Sequence, residues 1–129
     1  MYGPFDKQLE LRNIADGAKT STAAEAGIAF AARMAGDFKA IVYVSAVTGG
    51  GSPANTYLFT VETDVSAAFG GTPVEVGRLT VTAAGAYEIP LSGVEIDQRD
   101  PDAAAIRVKV TIAGSAPSVT YGAYLAPVV

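Results

Sequence analysis

The chain of 129 residues has no cysteine, no histidine and no tryptophan. The first absence excludes a disulfide framework and any thiolate metal site. The second removes the usual general base near neutral pH and the commonest metal ligand. No Ser-His-Asp or Cys-His arrangement can therefore form within one chain. The third leaves any sugar-stacking platform to six tyrosines. Positive charge is also scarce: nine Lys and Arg stand against thirteen Asp and Glu, for a net charge of -4. The basic residues are scattered from Lys7 to Lys109, and their densest grouping is Arg107 with Lys109. Binding nucleic acid through its phosphates needs a basic patch, so that partner is not expected. No apolar run approaches the roughly 20 residues of a membrane span. Met1 to Asp6 show neither the basic start nor the apolar stretch of a signal peptide, which points to synthesis in the cytoplasm and no membrane partner.

What is present is apolar and small. Half of the residues are hydrophobic, which excludes a disordered chain, and much of that half is Ala and Val. The strongest periodic signals have period two. Ile106, Val108, Val110 and Ile112 alternate with Arg107, Lys109, Thr111 and Ala113, the pattern of a strand with one buried face. Lys39 to Val47 contains Ile41, Val42, Tyr43 and Val44 in a row and reads as a strand buried on both sides. Thr56 to Thr63 puts Tyr57, Phe59 and Val61 on one face. Val74 to Val81, Ala86 to Leu91 and Val119 to Leu125 complete the strands, the last with Val119, Tyr121, Ala123 and Leu125 on one face.

Turn signals separate these runs: Thr48 to Pro53, Gly70 to Pro73, Ser92-Gly93 and Gly114 to Pro117. Short strands between Gly/Pro breaks predict an all-β fold, an antiparallel jelly-roll or related β-sandwich. Thr22 to Met34 stays open at this level. Its alanines favour a helix, while Gly27 and Gly36 favour an extended arm with a short strand at Ile28 to Phe30. The expected organisation is an N-terminal arm over residues 1–16 and one β-sandwich domain over 17–129.

Four constellations could carry chemistry. Glu95, Asp97, Asp100 and Asp102 offer oxygen ligands of the kind calcium takes, but they lack the central Gly and closing Glu of an EF-hand. A solvated loop before the strand at Ala104 is the expected role. Glu62 and Asp64 lie two apart and share a strand face, and paired carboxylates are the means by which glycosidases work. The plainer expectation is that Asp64 caps the turn after its strand. Gly49 to Ser52 is followed by Pro53-Ala54-Asn55 rather than Gly-Lys-Ser/Thr, so it is no phosphate loop. Tyr2 and Phe5, beside Gly3 and Pro4, are the candidate protein-interface residues, since exposed aromatics at a chain end favour docking. No catalytic, cofactor-binding or metal residue is assigned.

Val61-Glu62-Thr63-Asp64, followed by Ala67-Ala68-Phe69 and a Gly/Pro turn, resembles a segment of the small jelly-roll cement (decoration) proteins of tailed-bacteriophage capsids. The apolar strand at Ile41 to Val47, the later Ile106-Arg107-Val108 and the closing Tyr121 to Leu125 fit the same family, over roughly Lys39 to Pro127. The resemblance implies a non-enzymatic protein without cofactor that binds the outside of an icosahedral shell. Its partner would be the major capsid protein, which it would tie together as a homo-oligomer, a dimer or trimer, on the virion exterior. Two other classes are kept beside it: a carbohydrate-binding β-sandwich of a host-recognition fibre, and a hydrolase using Glu62 or the acidic stretch.

Overall fold

Alternating side chains set the architecture, because a strand with one apolar face must bury it against another layer. The computed structural model describes residues 9–29, 36–48 and 55–127. Ten strands make up most of it: β1 (Glu10–Arg12), β2 (Ala18–Lys19), β3 (Ala23–Ala24), β4 (Ile28–Ala29), β5 (Asp37–Val47), β6 (Thr56–Asp64), β7 (Val74–Val81), β8 (Gly85–Ser92), β9 (Ala105–Ala113) and β10 (Val119–Pro127). One helix, α1 (Gly93–Arg99), joins β8 to β9, and a 3₁₀ turn at Ile14–Asp16 follows β1. The strands form two antiparallel sheets, so the protein is an all-β sandwich.

The first sheet runs β1-β10-β5-β8, with β2 also pairing β10; the second runs β3-β9-β6-β7, with β4 also pairing β9. Each sheet thus has four strand positions, one of them filled by two short pieces. The chain crosses from one sheet to the other at β2 to β3, β4 to β5, β5 to β6, β7 to β8, β8 to β9 and β9 to β10. Between the sheets lie Val42 and Val44 of β5, Tyr57, Phe59 and Val61 of β6, Val108 and Val110 of β9, and Val119, Tyr121 and Leu125 of β10. Each such side chain taken from water contributes about 1.5 to 3 kcal/mol. Val108 and Val110 are buried while Arg107 and Lys109 turn outward, as the period-two pattern requires. Gly77 on β7 faces Ile89 and Leu91 of β8 so closely that a Cβ there would lie 2.7 Å from Ile89 Cγ2.

Four expectations need correction. The stretch Glu95 to Asp102 is not a plain loop, since Gly93–Arg99 is helical. Ser92-Gly93 is accordingly a helix start and not a simple break: the Ser92 hydroxyl accepts from the Glu95 N–H at 3.3 Å. The expected arm does not extend to residue 16. Glu10–Arg12 is a strand of the first sheet, and Leu11 belongs to the core. Finally, β5 is buried on both faces only at its centre, around Ala40, Ile41 and Val42, while Tyr43 is 49% exposed. The segment left open, Thr22 to Met34, is extended where described: Ala23 pairs Val110 and Ile28 pairs Ile106. Pairing along β9 there overrides alanine's helix propensity.

The two sides of the sandwich are finished differently. Along β10 and β9, the short strands β1 to β4 hem both sheets. Along β8 and β7 no further strand pairs among the described residues. There β8 carries Pro90, and β7 has an irregular register at Glu75 to Gly77, with an Arg78–Glu75 ion pair at 2.8 Å. Proline, charge and bulges are the usual means of making an edge unattractive to another strand.

Candidate functional site

Three clusters hold most of the chemistry-bearing side chains, and each begins from strand register. On the outer face of the second sheet, Glu62 of β6 lies directly opposite Arg107 of β9. Their side chains pair at 2.8 Å, and both are mostly buried. The cover is Phe69, whose ring centroid sits 4.2 Å from the Arg107 guanidinium carbon. Phe69 takes the left-handed conformation, φ 51°, inside the loop that follows β6. The ring also lies against Gly27, where a Cβ would lie 2.3 Å from Phe69 Cε1; the missing side chain is what leaves room for the ring.

Asp64 organises that loop. Its Oδ1 accepts from the Val65 N–H at 2.7 Å and its Oδ2 from the Gly71 N–H at 3.1 Å. The expected capping role is what the geometry shows. Next to it, the Thr63 hydroxyl donates to Asp100 Oδ2 at 2.9 Å in a buried contact. Glu62 and Asp64 are therefore each committed, one to an arginine and one to loop amides. The Glu-Thr-Asp and Ile-Arg-Val segments, far apart in sequence, meet through Glu62 and Arg107, and Phe69 closes over the pair.

The second cluster lies where the N-terminal strands meet the core. Arg12, whose side chain is 1% exposed, donates from Nε to the Tyr121 carbonyl at 3.0 Å and pairs through Nη1 with Glu25 Oε2 at 3.2 Å. Its Nη2 donates to the Gly17 carbonyl. The Tyr121 hydroxyl also donates to Glu25 Oε2, at 3.2 Å, and Lys19 approaches the same oxygen at 3.6 Å. Burial first, and the Glu25 carboxylate second, hold the Tyr121 phenol well above its ordinary pKa, against the pull of Arg12. Because Arg12 is the last residue of β1 in the first sheet and the Glu25 N–H donates to the Val108 carbonyl of the second, the pair ties both sheets together.

The third cluster surrounds α1. Glu95 pairs with Arg99 at 3.0 Å along the exposed helix surface. Asp100 turns inward to Thr63, and Asp102 is exposed. Glu95 and Asp100 thus have different partners, and among the described residues no group of three or more His, Cys, Asp or Glu side chains is placed to hold a metal ion. Gly49 to Ser52, and the interface candidates Tyr2 and Phe5, lie outside the described residues.

Sequence reasoning missed the Arg12–Glu25–Tyr121 network and the helix α1. The helix had a signal, Ser92-Gly93-Val94-Glu95, which is the Ser-x-x-Glu pattern of a capping box. The network had none, because its members are brought together only by the sheets. The sequence matches no protein-family model, and comparison with characterised proteins finds no significant similarity.

Proposed function

We propose that this protein is a non-enzymatic capsid cement protein, which binds the outer surface of a bacteriophage shell and ties its major capsid subunits together. The observation that carries the proposal is the strand order. Taking β1 with β2 and β3 with β4 as single positions, two four-position sheets arise with repeated crossing between them. We read this as a jelly roll, an arrangement used by viral capsid domains. Two further features support it. The segments that resemble the cement family are in direct contact through Glu62, Arg107 and Phe69. The ionisable groups of the first two clusters are engaged in holding the fold, which leaves them little freedom for acid–base work.

Such a protein acts mechanically. A pre-folded β domain loses little ordering entropy on docking, and icosahedral symmetry repeats a modest gain at every seam. The test is co-sedimentation of purified protein with assembled shells lacking it, followed by a cryo-EM reconstruction. Added density on the outside of the particles is expected; protein left entirely in the supernatant overturns the proposal. Jelly rolls also serve as lectins, so a glycan titration followed by tyrosine fluorescence belongs beside it. Saturable quenching there, without shell binding, replaces the cement reading with the carbohydrate one.

A further inference from the structure

Asp16 is the only Asp or Asn of the chain that is followed by glycine. Elsewhere larger residues follow: Asn13, Asn55 and Asp64 stand before the β-branched Ile14, Thr56 and Val65. The fold sets Asp16 apart as well. It ends the 3₁₀ turn after β1, it is exposed, and its carboxylate makes no hydrogen bond or ion pair among the described residues. Asp64 and Asp100, by contrast, have their carboxylates occupied by loop amides and by Thr63. Gly17 takes φ 92°, a conformation that favours glycine, and a Cβ built there would meet nothing within 4 Å. Its N–H reaches the Ile14 carbonyl only at 3.5 Å, the far limit of a hydrogen bond. A weakly held backbone nitrogen in open space thus stands next to an unengaged carboxyl group.

We propose that Asp16–Gly17 is a site of spontaneous covalent modification, at which the main chain is rerouted through the aspartate side chain. The Gly17 amide nitrogen attacks Cγ of the protonated Asp16 carboxyl. A C–N bond forms there, and the carboxyl hydroxyl leaves with the amide proton as water. Water then opens the cyclic imide at either carbonyl. Cleavage between nitrogen and Cγ restores aspartate; cleavage between nitrogen and the backbone carbonyl carbon gives isoaspartate, with no net change in atoms. Glycine favours the ring because it puts no side chain beside the attacking nitrogen. The product carries one extra main-chain carbon between residues 16 and 17, in a turn anchored on both sides. Ile14 lies against Gly122 of β10, the Gly17 carbonyl accepts from Arg12 Nη2, and Ala18 and Lys19 pair with Thr120 and Val119. A longer link cannot keep all of these in place, so isomerisation loosens the hold of Arg12 on Gly17 and the pairing of β2. The inference does not depend on what the protein binds.

The experiment ages the full-length folded protein for several weeks at neutral pH and body temperature, with Asp16→Glu beside it. Glutamate keeps the charge but must close a larger ring, which forms far more slowly, and the exposed position tolerates it. Trypsin cuts after Arg12 and Lys19 and so releases residues 13–19, in which Asp16 is the only aspartate. A second chromatographic peak of unchanged mass is expected for this peptide, growing with time and absent from the variant. Deamidation of Asn13, in the same peptide, changes the mass and is thereby told apart. The aged protein should also develop a fraction that melts several degrees lower, in proportion to the second peak, and the aged variant should not. A peptide that stays single in the folded protein, even if it splits in protein aged in urea, overturns the proposal, as does equal splitting in the variant. An aged protein rich in isoaspartate with an unchanged melt overturns the link to Arg12 and β2.

Discussion

Replacing Arg12 with methionine removes what holds the N-terminal strands to both sheets, while keeping an apolar stem of similar length. The substitution deletes the donors to the Tyr121 carbonyl at 3.0 Å and the Gly17 carbonyl, and the pair with Glu25 at 3.2 Å. It also removes the guanidinium 4.7 Å from the Tyr121 ring centroid. Glu25 stays mostly buried, with the Tyr121 hydroxyl at 3.2 Å and Lys19 at 3.6 Å as its remaining partners. Breaking a buried pair by removing one partner costs about 3 to 5 kcal/mol. Lys19 offsets part of this, so the expected loss is about 3 kcal/mol, or roughly 10 °C in melting temperature for a domain of this size. Urea unfolding followed by circular dichroism should show a lower midpoint with an unchanged slope. In a Glu25→Leu background the same substitution should cost less than about 1 kcal/mol, because no carboxylate is left stranded. An equal loss in both backgrounds would refute the pairing argument.

Other outcomes follow from the same geometry. Val108→Asp should prevent folding, since an unpaired carboxylate at a fully buried position costs several kcal/mol, whereas outward-facing Lys109→Glu should leave the melt within about 0.5 kcal/mol. Gly77→Ala should destabilise by about 1 to 3 kcal/mol by driving a methyl into Ile89 Cγ2, and it should cost less in an Ile89→Ala background, where that atom is gone. Raising the pH should erode stability from about the ordinary tyrosine value of 10.0 upward, because unfolded Tyr121 loses its proton there while folded Tyr121 keeps it. Tyr121→Phe should flatten that alkaline slope in pH-dependent melts. Thermal melts with EDTA and with millimolar calcium should coincide; a calcium-dependent rise of several degrees would bring back Glu95, Asp97, Asp100 and Asp102 as ligands.

Where local pattern and tertiary environment agree, the sequence is easily read. Ile106 to Val110 alternates cleanly because β9 has one face on the core and one outside, so its register follows from the residue types alone. Asp64 was equally legible, for an aspartate between a strand and a Gly-rich turn has backbone amides close by. Legibility ends where a neighbouring element decides. The alanines of Thr22 to Met34 suit a helix in isolation, but β9 offers Ala23 and Ile28 strand partners. Tyr43 looks like core beside Ile41 and Val42, yet its face of β5 is left partly open. The Glu62–Arg107 pair depends on β6–β9 register, and the Arg12–Glu25 pair on both sheet edges, which no local pattern encodes.

The place of β10 has a consequence for the timing of synthesis. This strand, late in the sequence, lies inside the first sheet, between β5 on one side and β1 and β2 on the other. Glu10 and Arg12 leave the ribosome early but find their partners, Tyr124 and Ala123, only after more than a hundred further residues have been added. Until then the nascent chain exposes the apolar faces of β5, β6 and β9 with no finished first sheet to cover them. Pairings this distant are slow to form, and incomplete sheets are the species most prone to aggregate. The domain therefore has to fold after translation has passed Pro127, as one event rather than in stages, and a ribosome stalled before Val119 leaves a product without a foldable core.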